Sequence, residues 1–136
     1  MTSLYARSVF FVADAKRSLL YYTEDLGFLL DWDSEDGVFQ VSLFDFELIL
    51  NQVGERTRTR AGHGRVFIGL EDDQWEPLRK HIADRDIQTF RVEWGRPTLV
   101  VRDLDANELF FWVPHDDFSN VGRPPIESSD IPGPTK

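Results

Sequence analysis

The fold is decided by the stretch WGRPTLVVRDLDANELFFWVP, which covers residues 94–114. Its β-branched and apolar residues at 98–101 predict a strand. The short polar side chains at 103–107 predict a tight turn, because such side chains bond their own backbone. The apolar run LFFWV at 109–113 is typical of a strand that is buried on both faces. Such a strand needs a packing partner on each side, so the rest of the chain has to supply two layers.

The residues before this stretch continue a pattern of strands around one helix. Apolar runs at 65–70 and 87–92 predict strands. Residues 74–84 between them predict a helix, preceded by acidic residues where the helix dipole favours them. Together with the strands at 98–101 and 109–113, the second half of the chain has the order β-α-β-β-β.

The first half of the chain has the same order. Asp14 is suited to cap a helix over residues 15–26, and Gly27 is suited to end it, because glycine readily adopts a positive φ. An order that recurs after about 60 residues indicates an internal repeat of two modules. The strands of the first module are predicted at 8–12, 28–32, 38–43 and 46–51.

Composition limits the function classes that the chain can serve. Its 136 residues are 41% hydrophobic and 29% charged, which is typical of one soluble globular domain. The absence of cysteine excludes disulfides and a thiol nucleophile. A net charge of −9 argues against a nucleic-acid partner and is compatible with a cationic ligand. With neither a membrane-spanning run nor an export signal, we expect no membrane partner and a cytoplasmic location.

The predicted domain covers residues 1–118, with module one at 4–53, a linker at 54–64 and module two at 65–114. The linker alternates arginine and threonine, and it is either a solvated connection or a loop that closes over a ligand or a partner subunit. Five of the seven prolines lie from Pro114 onward. We therefore predict a proline-rich tail at 119–136 without a core of its own, which is either mobile or laid across another subunit.

Two phrases carry a resemblance to a known family. The helix phrase VADAKRSLLYYTEDLGF at 12–28 resembles the vicinal oxygen chelate superfamily. This superfamily includes glyoxalase I, extradiol dioxygenases, fosfomycin-resistance transferases and bleomycin-resistance proteins. WGR at 94–96 and the turn at 103–107 resemble the tryptophan-glycine-arginine and aspartate-proline-x-glycine-asparagine signature of the bleomycin-resistance-like branch. Leu104 and Ala106 replace the proline and the glycine of that signature. The resemblance covers residues 4–114.

The resemblance implies an α+β fold in which two tandem βαβββ modules form a curved mixed-sheet cup with helices on its outer face. Because side chains alternate along a strand, each strand then divides into helix-facing and cup-facing residues. The residues expected to face the helices are Phe10, Val12, Leu48, Leu50, Val66, Ile68, Leu70, Leu109, Phe111 and Val113. Those expected to face the cup are Arg7, Val9, Phe11, Glu47, Ile49, Asn51, Arg65, Phe67, Glu108, Phe110 and Trp112.

The resemblance also locates the metal ligands of the metal-dependent members, which are His, Glu or Gln. Two of the four ligand positions hold cations here and two hold hydrocarbons, so we predict neither a metal nor any other cofactor. The four positions are Arg7, Ile49, Arg65 and Phe110. A register slipped by two residues leaves one alternative metal site, made of His63, Glu47 and Glu108. His81 and His115 are interpreted as surface residues, and neither a catalytic triad nor a glycine-rich phosphate loop is evident.

A cup lined with aromatic side chains remains, and it predicts the binding of a planar small molecule. In the bleomycin-binding members, a tryptophan at the position of Trp94 stacks on the drug. We predict no catalytic residues. The candidate stacking residues are Trp32, Phe39, Phe67, Trp94, Phe110 and Trp112, and the candidate polar anchors are Arg7, Glu47 and Arg65.

The sequence therefore favours a metal-free binding protein that resembles the bleomycin-resistance proteins. It would sequester an aromatic ligand, cationic ligands included, in a groove at a homodimer interface, with antibiotic resistance as a consequence. Two alternatives stay open: a metal-dependent lyase or dioxygenase of the same superfamily, and a metal-free enzyme that acts on an unknown metabolite.

Overall fold

The computed structural model describes residues 4–54, 59–115 and 117–127. Within these residues the chain forms two βαβββ modules followed by one short strand, which confirms the predicted fold class. The elements are β1 Ser8–Val12, α1 Ala15–Leu20, a π-helical segment Tyr21–Asp25, β2 Leu29–Asp33, β3 Val38–Leu43, β4 Phe46–Gln52, β5 Arg65–Gly69, α2 Asp72–Asp84, β6 Thr89–Glu93, β7 Pro97–Arg102, β8 Glu108–Trp112 and β9 Ile126–Glu127.

Each module builds its own sheet. Sheet 1 has the strand order β1-β4-β3-β2, and sheet 2 has the order β5-β8-β7-β6-β9. The first strand of each module pairs in parallel with the fourth, while the second, third and fourth strands pair antiparallel. The register is repeated as well, since Val66 pairs with Leu109 as Ser8 pairs with Leu48. Corresponding residues of the two sheets can therefore be compared directly.

The first helix begins as predicted and then widens. Asp14 caps it by accepting a hydrogen bond from the backbone N–H of Arg17 at 3.2 Å. The helix becomes π-helical at Tyr21, whereas the sequence predicts one α-helix over residues 15–26. π-Helical turns occur mostly as single turns inside α-helices. In this one the phenols of Tyr21 and Tyr22 both reach module two. Gly27, at φ +81°, ends the segment as predicted.

The second helix begins two residues before its predicted start. Glu71 and Gln74 form a capping box, so the acidic residues that follow Glu71 belong to the first turn, where the helix dipole favours them. Trp75, Leu78 and Ile82 are buried on one side of the helix.

The core lies between the sheets and the helices. Every residue that strand alternation assigns to the helix side is either buried in this core or packed against it, so that assignment is confirmed. The residues are Phe10, Val12, Leu48, Leu50, Val66, Ile68, Leu70, Leu109, Phe111 and Val113.

The turn between β7 and β8 joins the two modules. The carboxylate of Asp103 is buried and accepts hydrogen bonds from Tyr22, Asn107 and the backbone N–H of Asp105. Asn107 also donates to the carbonyl of Phe11 at 3.1 Å and accepts from the backbone of Gly64 at 2.8 Å. Burial raises the pKa of Asp103, and the hydrogen bonds that it accepts oppose that shift.

The described part of the tail packs against its own chain, which corrects the prediction that the tail is mobile or laid across another subunit. Phe118 and Val121 are buried in the core. Arg123 forms an ion pair with Asp86 at 2.8 Å, and β9 pairs in parallel with β6. The predicted alternatives overlook the buried side chain of Val121 within this segment, next to that of Phe118 at the end of the predicted domain. Residues 128–136 of the tail and residues 55–58 of the linker, which include Arg56 and Arg58, lie outside the described residues.

Within the described ranges, neither helix has the length and apolar character that crossing a membrane requires.

Candidate functional site

Four aromatic rings cluster on the face of sheet 2 that points away from the helices. Phe67 contacts Trp94 and Trp112, with ring centroids 5.4 Å and 4.6 Å apart. Trp94 also contacts Phe110 at 4.9 Å. The rings meet at tilted or edge-on angles, so part of each of the outer faces stays open. Trp94 is 52% exposed and Phe67 is 39% exposed, whereas Phe110 is buried at the base of the cluster.

Local interactions fix the positions of these rings. The indole N–H of Trp112 donates to the hydroxyl of Thr98 at 3.0 Å. The backbone N–H of Trp94 donates to the carbonyl of Arg96, and Gly95 takes φ +78° in the tight turn between them. Gly95 suits that turn because L side chains are disfavoured at positive φ. Trp94 therefore stands at the mouth of the β6–β7 hairpin.

A small cleft of about 70 Å³ lies among these rings and is lined by Arg65, Val66, Phe67, Trp94 and Phe110. Arg65 at its edge is bound by the carboxylate of Glu108, which also binds Arg102. Arg65 Nε donates to Glu108 Oε1 at 2.9 Å, and Arg102 Nε donates to Glu108 Oε2 at 3.2 Å. The cleft is therefore apolar at its base and charged at its edge.

The corresponding face of sheet 1 carries a hydrogen-bonded polar cluster instead of rings. Glu47 accepts from Tyr5 and from Gln40, and it forms an ion pair with Arg7 at 3.7 Å. Gln40 also donates to Asp31 at 2.9 Å. The pairing of β2 with β3 shifts register between Leu30 and Trp32, and this irregularity turns the Asp31 carboxylate toward Gln40 and Ser42.

The structure thus divides the predicted site residues into two groups. Sheet 2 brings together Arg65, Phe67, Trp94, Phe110 and Trp112. Sheet 1 brings Arg7 beside Glu47, with Trp32 at the outer strand of the same sheet. No hydrogen bond, ion pair or ring contact joins the two groups within residues 4–54, 59–115 and 117–127.

Phe39 belongs to neither group, and its prediction as a stacking residue is corrected. It pairs with Leu50 in the sheet register and is buried in the core on the helix side. Because side chains alternate along a strand, Gln40 rather than Phe39 occupies the cup side of β3. Tyr5, Asp31, Gln40 and Arg102 were not predicted as site residues. The only sequence signal for Arg102 is its position directly before the turn at 103–107, where it lies opposite Glu108.

A separate cavity of about 620 Å³ opens on the helix side, between the β2–β3 turn and the start of α1. Carboxylates dominate its rim, with Lys16 as the basic side chain. It lies away from the aromatic cluster, and the acidic rim by itself is typical of a solvated turn. The lining residues are Asp14, Ala15, Lys16, Asp33, Ser34, Glu35, Asp36, Gly37, Phe39 and Gln52.

The donor set does not fit a metal ion. Arg7 and Arg65 are cations, and each is paired with a glutamate of the neighbouring strand. Ile49 and Phe110 offer no ligand atom. The alternative site with His63, Glu47 and Glu108 is not assembled either, because the described residues contain no group of three or more histidine and carboxylate side chains placed to hold a metal. His115 lies 3.3 Å from Asp72, at the start of α2.

Comparisons with known proteins give a likeness in fold. Neither protein-family models nor curated protein sequences give a match. Solved structures do match. The bleomycin-binding protein of bleomycin-producing Streptomyces verticillus, complexed with copper(II)-bleomycin, superimposes with a TM-score of 0.65 at 19% identity, covering 85% of this chain and 99% of that one.

Two further structures show the same likeness. A glyoxalase/bleomycin resistance protein/dioxygenase from Alicyclobacillus acidocaldarius gives a TM-score of 0.62 at 20% identity, over 82% of this chain and 91% of that chain. Lactoylglutathione lyase from Agrobacterium tumefaciens gives 0.61 at 12% identity, over 83% and 95%. Binding proteins and enzymes are both among the matches, so the likeness establishes the fold and leaves the activity to the site.

Proposed function

Because this chain has the fold of the vicinal oxygen chelate superfamily, we propose that it is a metal-free binding protein of the bleomycin-resistance type. It sequesters an aromatic small molecule, cationic ligands included, in a groove shared by two subunits. One protein with this fold is complexed with copper(II)-bleomycin, and bleomycin is therefore the first ligand to test.

The observation that carries the proposal is the half-open aromatic cluster of sheet 2. Trp94 and Phe67 expose large apolar faces although they are packed against further rings. A folded protein gains by covering such faces, and a planar ligand covers them with little loss of conformational entropy. The cluster is preformed, since Thr98 and Gly95 already fix the rings next to the cleft.

Two features support a shared groove. The polar cluster of sheet 1 and the aromatic cluster of sheet 2 make no direct contact within the described ranges, so neither cluster covers the other. The outer strand of sheet 1 also leaves apolar side chains uncovered, among them Leu29, which is 71% exposed, and Leu30 and Trp32. A second subunit is the partner that removes this surface from water.

A lyase or dioxygenase that depends on a metal is disfavoured by the donor set. Guanidinium groups and hydrocarbon side chains stand at the four ligand positions, and no other set of donors replaces them in the described ranges. Stacking and charge complementarity are sufficient for sequestration, so the proposal requires no chemical step.

Calorimetry with bleomycin and with a series of planar heteroaromatic compounds tests the proposal. We expect binding that Trp94→Ala weakens by about tenfold or more, because stacking on one aromatic side chain contributes on the order of 1–3 kcal/mol. The melting temperature of that variant should stay close to that of the unchanged protein, since half of Trp94 is exposed.

Phe44→Ala is the matched control. Phe44 is 48% exposed, like Trp94, but it lies in the β3–β4 turn on the other sheet. Affinity that is equal in the Trp94→Ala variant, the Phe44→Ala variant and the unchanged protein contradicts the proposal. A mass measurement in solution that gives a monomer in both the free and the ligand-bound state contradicts the shared groove.

A further inference from the structure

Glu108 holds two guanidinium groups at once on the cup side of sheet 2. Each of its oxygens accepts from the Nε atom of one arginine, Arg65 at 2.9 Å and Arg102 at 3.2 Å. The Glu108 side chain is largely buried between them. Two cations and one carboxylate give this triad a net charge of +1, although the whole chain carries −9.

In the part of the chain that the structure describes, the triad leaves hydrogen-bond donors without a hydrogen-bonding partner. Both arginines bind Glu108 through Nε, and their terminal amino groups make no hydrogen bond within residues 4–54, 59–115 and 117–127. The guanidinium carbon of Arg102 lies 4.3 Å from the ring centroid of Phe90, a cation–π contact that helps to hold it in place. A guanidinium that is already held on one side loses less side-chain entropy when it binds a second acceptor.

The donors of Arg65 lie at the edge of the aromatic cleft, and those of Arg102 lie on the other side of Glu108. Arg65 lines the cleft together with Phe67, Trp94 and Phe110, and its guanidinium carbon is 5.9 Å from the Phe110 ring centroid. A planar ring that stacks in the cleft therefore has the guanidinium group of Arg65 next to its edge. The terminal N–H groups of arginine match the two oxygens of a carboxylate in spacing and in plane.

Sheet 1 provides an internal comparison, because the register of the two modules is repeated. Arg7 and Glu47 correspond to Arg65 and Glu108, but Ser42 pairs with Glu47 where Arg102 pairs with Glu108. Sheet 1 also adds the carboxylate of Asp31. The polar cluster of sheet 1 thus carries a net charge of −1, and of these two clusters only the triad of sheet 2 has a surplus of positive charge.

We propose that the aromatic ligand of this site carries a carboxylate, which is bound by the terminal amino groups of Arg65 and Arg102. This inference rests on the proposed function and narrows its ligand class. Acidic groups of the molecule that lie farther than about 8 Å from the triad act weakly on it, because charges at that separation are largely screened at physiological ionic strength.

Three probes of one ring system and different charge test the inference: naphthoate, naphthamide and naphthylmethylamine. In calorimetry on the full chain we expect naphthoate to bind about tenfold tighter than naphthamide, because hydrogen bonds between charged groups are stronger than neutral ones. The amine should bind more weakly than the amide. High salt should reduce the preference for naphthoate, because the contact lies at an exposed edge.

Arg102→Gln removes one guanidinium group and leaves the residues that line the aromatic cleft unchanged. We expect it to lower naphthoate affinity by about tenfold and to leave naphthamide within about twofold. Arg91→Gln is the matched control, with the same change of charge in the same sheet. Arg91 pairs with Leu99, so it lies on the opposite face, where it contacts Glu93 and Glu127. This control should bind all three probes like the unchanged protein.

The outcomes separate this inference from the proposed function. One outcome is that naphthamide binds as tightly as naphthoate or more tightly, with binding that depends on Trp94. That result overturns the inference that the ligand carries a carboxylate, but it agrees with the proposed aromatic site. If Arg102→Gln and Arg91→Gln change naphthoate affinity equally, the carboxylate inference is overturned and the proposed aromatic site is unaffected. If none of the three probes binds, the carboxylate inference is overturned, and bleomycin binding decides the proposed function separately.

Discussion

The phenol of Tyr22 donates a hydrogen bond of 2.9 Å to the carboxylate of Asp103, which lies 81 residues further along the chain. Both side chains are buried, and the bond connects the π-helical segment of module one to the β7–β8 turn of module two. A buried acceptor that loses its partner retains its desolvation penalty. This bond therefore links the stability of one module to that of the other.

Replacing Tyr22 with phenylalanine tests that link. We expect the free energy of unfolding to fall by about 1–3 kcal/mol, since Asp103 keeps its other donors but loses a buried one. Urea unfolding followed by tryptophan fluorescence measures the change. Tyr5→Phe is the control, because Tyr5 is exposed, and its loss should cost less than about 0.5 kcal/mol. Equal midpoints for the two variants would argue against the link.

Alkaline pH should destabilise the protein because Tyr21 and Tyr22 lose their protons. Burial, followed by the negative charge of Asp103, raises the pKa of Tyr21 and Tyr22 above the ordinary value of 10.0. The unfolded chain therefore releases these protons first. The stability that they contribute is complete below about pH 10 and is lost as the pH rises toward their folded-state pKa, at about 1.4 kcal/mol per pH unit for each tyrosine.

The Tyr21→Phe variant should lose stability above about pH 10 with roughly half the slope of the unchanged protein. Urea unfolding at a series of alkaline pH values gives both slopes. The hydroxyl of Tyr21 bonds only the carbonyl of Arg102 within the described ranges, so the variant should remain folded at neutral pH. Identical slopes would mean that Tyr21 does not keep its proton in the folded state.

Ala106 adopts φ +64°, a backbone conformation that costs an alanine energy and costs glycine very little. It occupies the glycine position of the aspartate-proline-x-glycine-asparagine signature that residues 103–107 resemble. We expect Ala106→Gly to raise the free energy of unfolding by about 1 kcal/mol and the melting temperature by a few degrees. Calorimetric melting measures this. The control is Ala83→Gly, which lies in helical backbone and should lower the free energy of unfolding. If Ala106→Gly also lowers it, the backbone of Ala106 is not strained.

Metal content follows from the replaced ligand positions. We expect elemental analysis of the purified protein to find no Ni, Zn, Fe or Mn near one ion per chain, because Arg7 and Arg65 place cations where a ligand would stand. Added Ni²⁺ should leave the melting temperature unchanged, since a ligand of the folded state stabilises it only by binding. One equivalent of bound metal would contradict the metal-free proposal.

Sequence pattern predicted the modules well where local and tertiary preferences agree. The strand from Ser8 to Val12 and the one from Val38 to Leu43 have the predicted ends, since turn residues border them on at least one side. The end of the first helix differs from the prediction, since a π-helical turn lies where Tyr22 reaches Asp103. That contact depends on a residue far along the chain, which no local pattern reveals.

The site was predictable only in part, for a related reason. Arg65, Phe67, Trp94 and Phe110 follow from strand alternation and from the resemblance, and they do line one cleft. Phe39 was misassigned because a single aromatic residue in a strand can serve either face. Arg102 was missed because its role depends on Glu108 of the neighbouring strand, and pairing between strands is not encoded in either strand alone.

The pairing of β9 with β6 means that the two modules differ in how their outer strands are covered. In module two the tail occupies backbone groups of that strand, whereas β2, which has the same place in module one, lies at the outer edge of its sheet within the described residues. A chain made by joining two copies of module one would therefore carry a bare strand in each half. It would be prone to polymerise edge to edge. Duplication of module one alone would thus leave two bare edge strands of this kind where the described part of this chain leaves one.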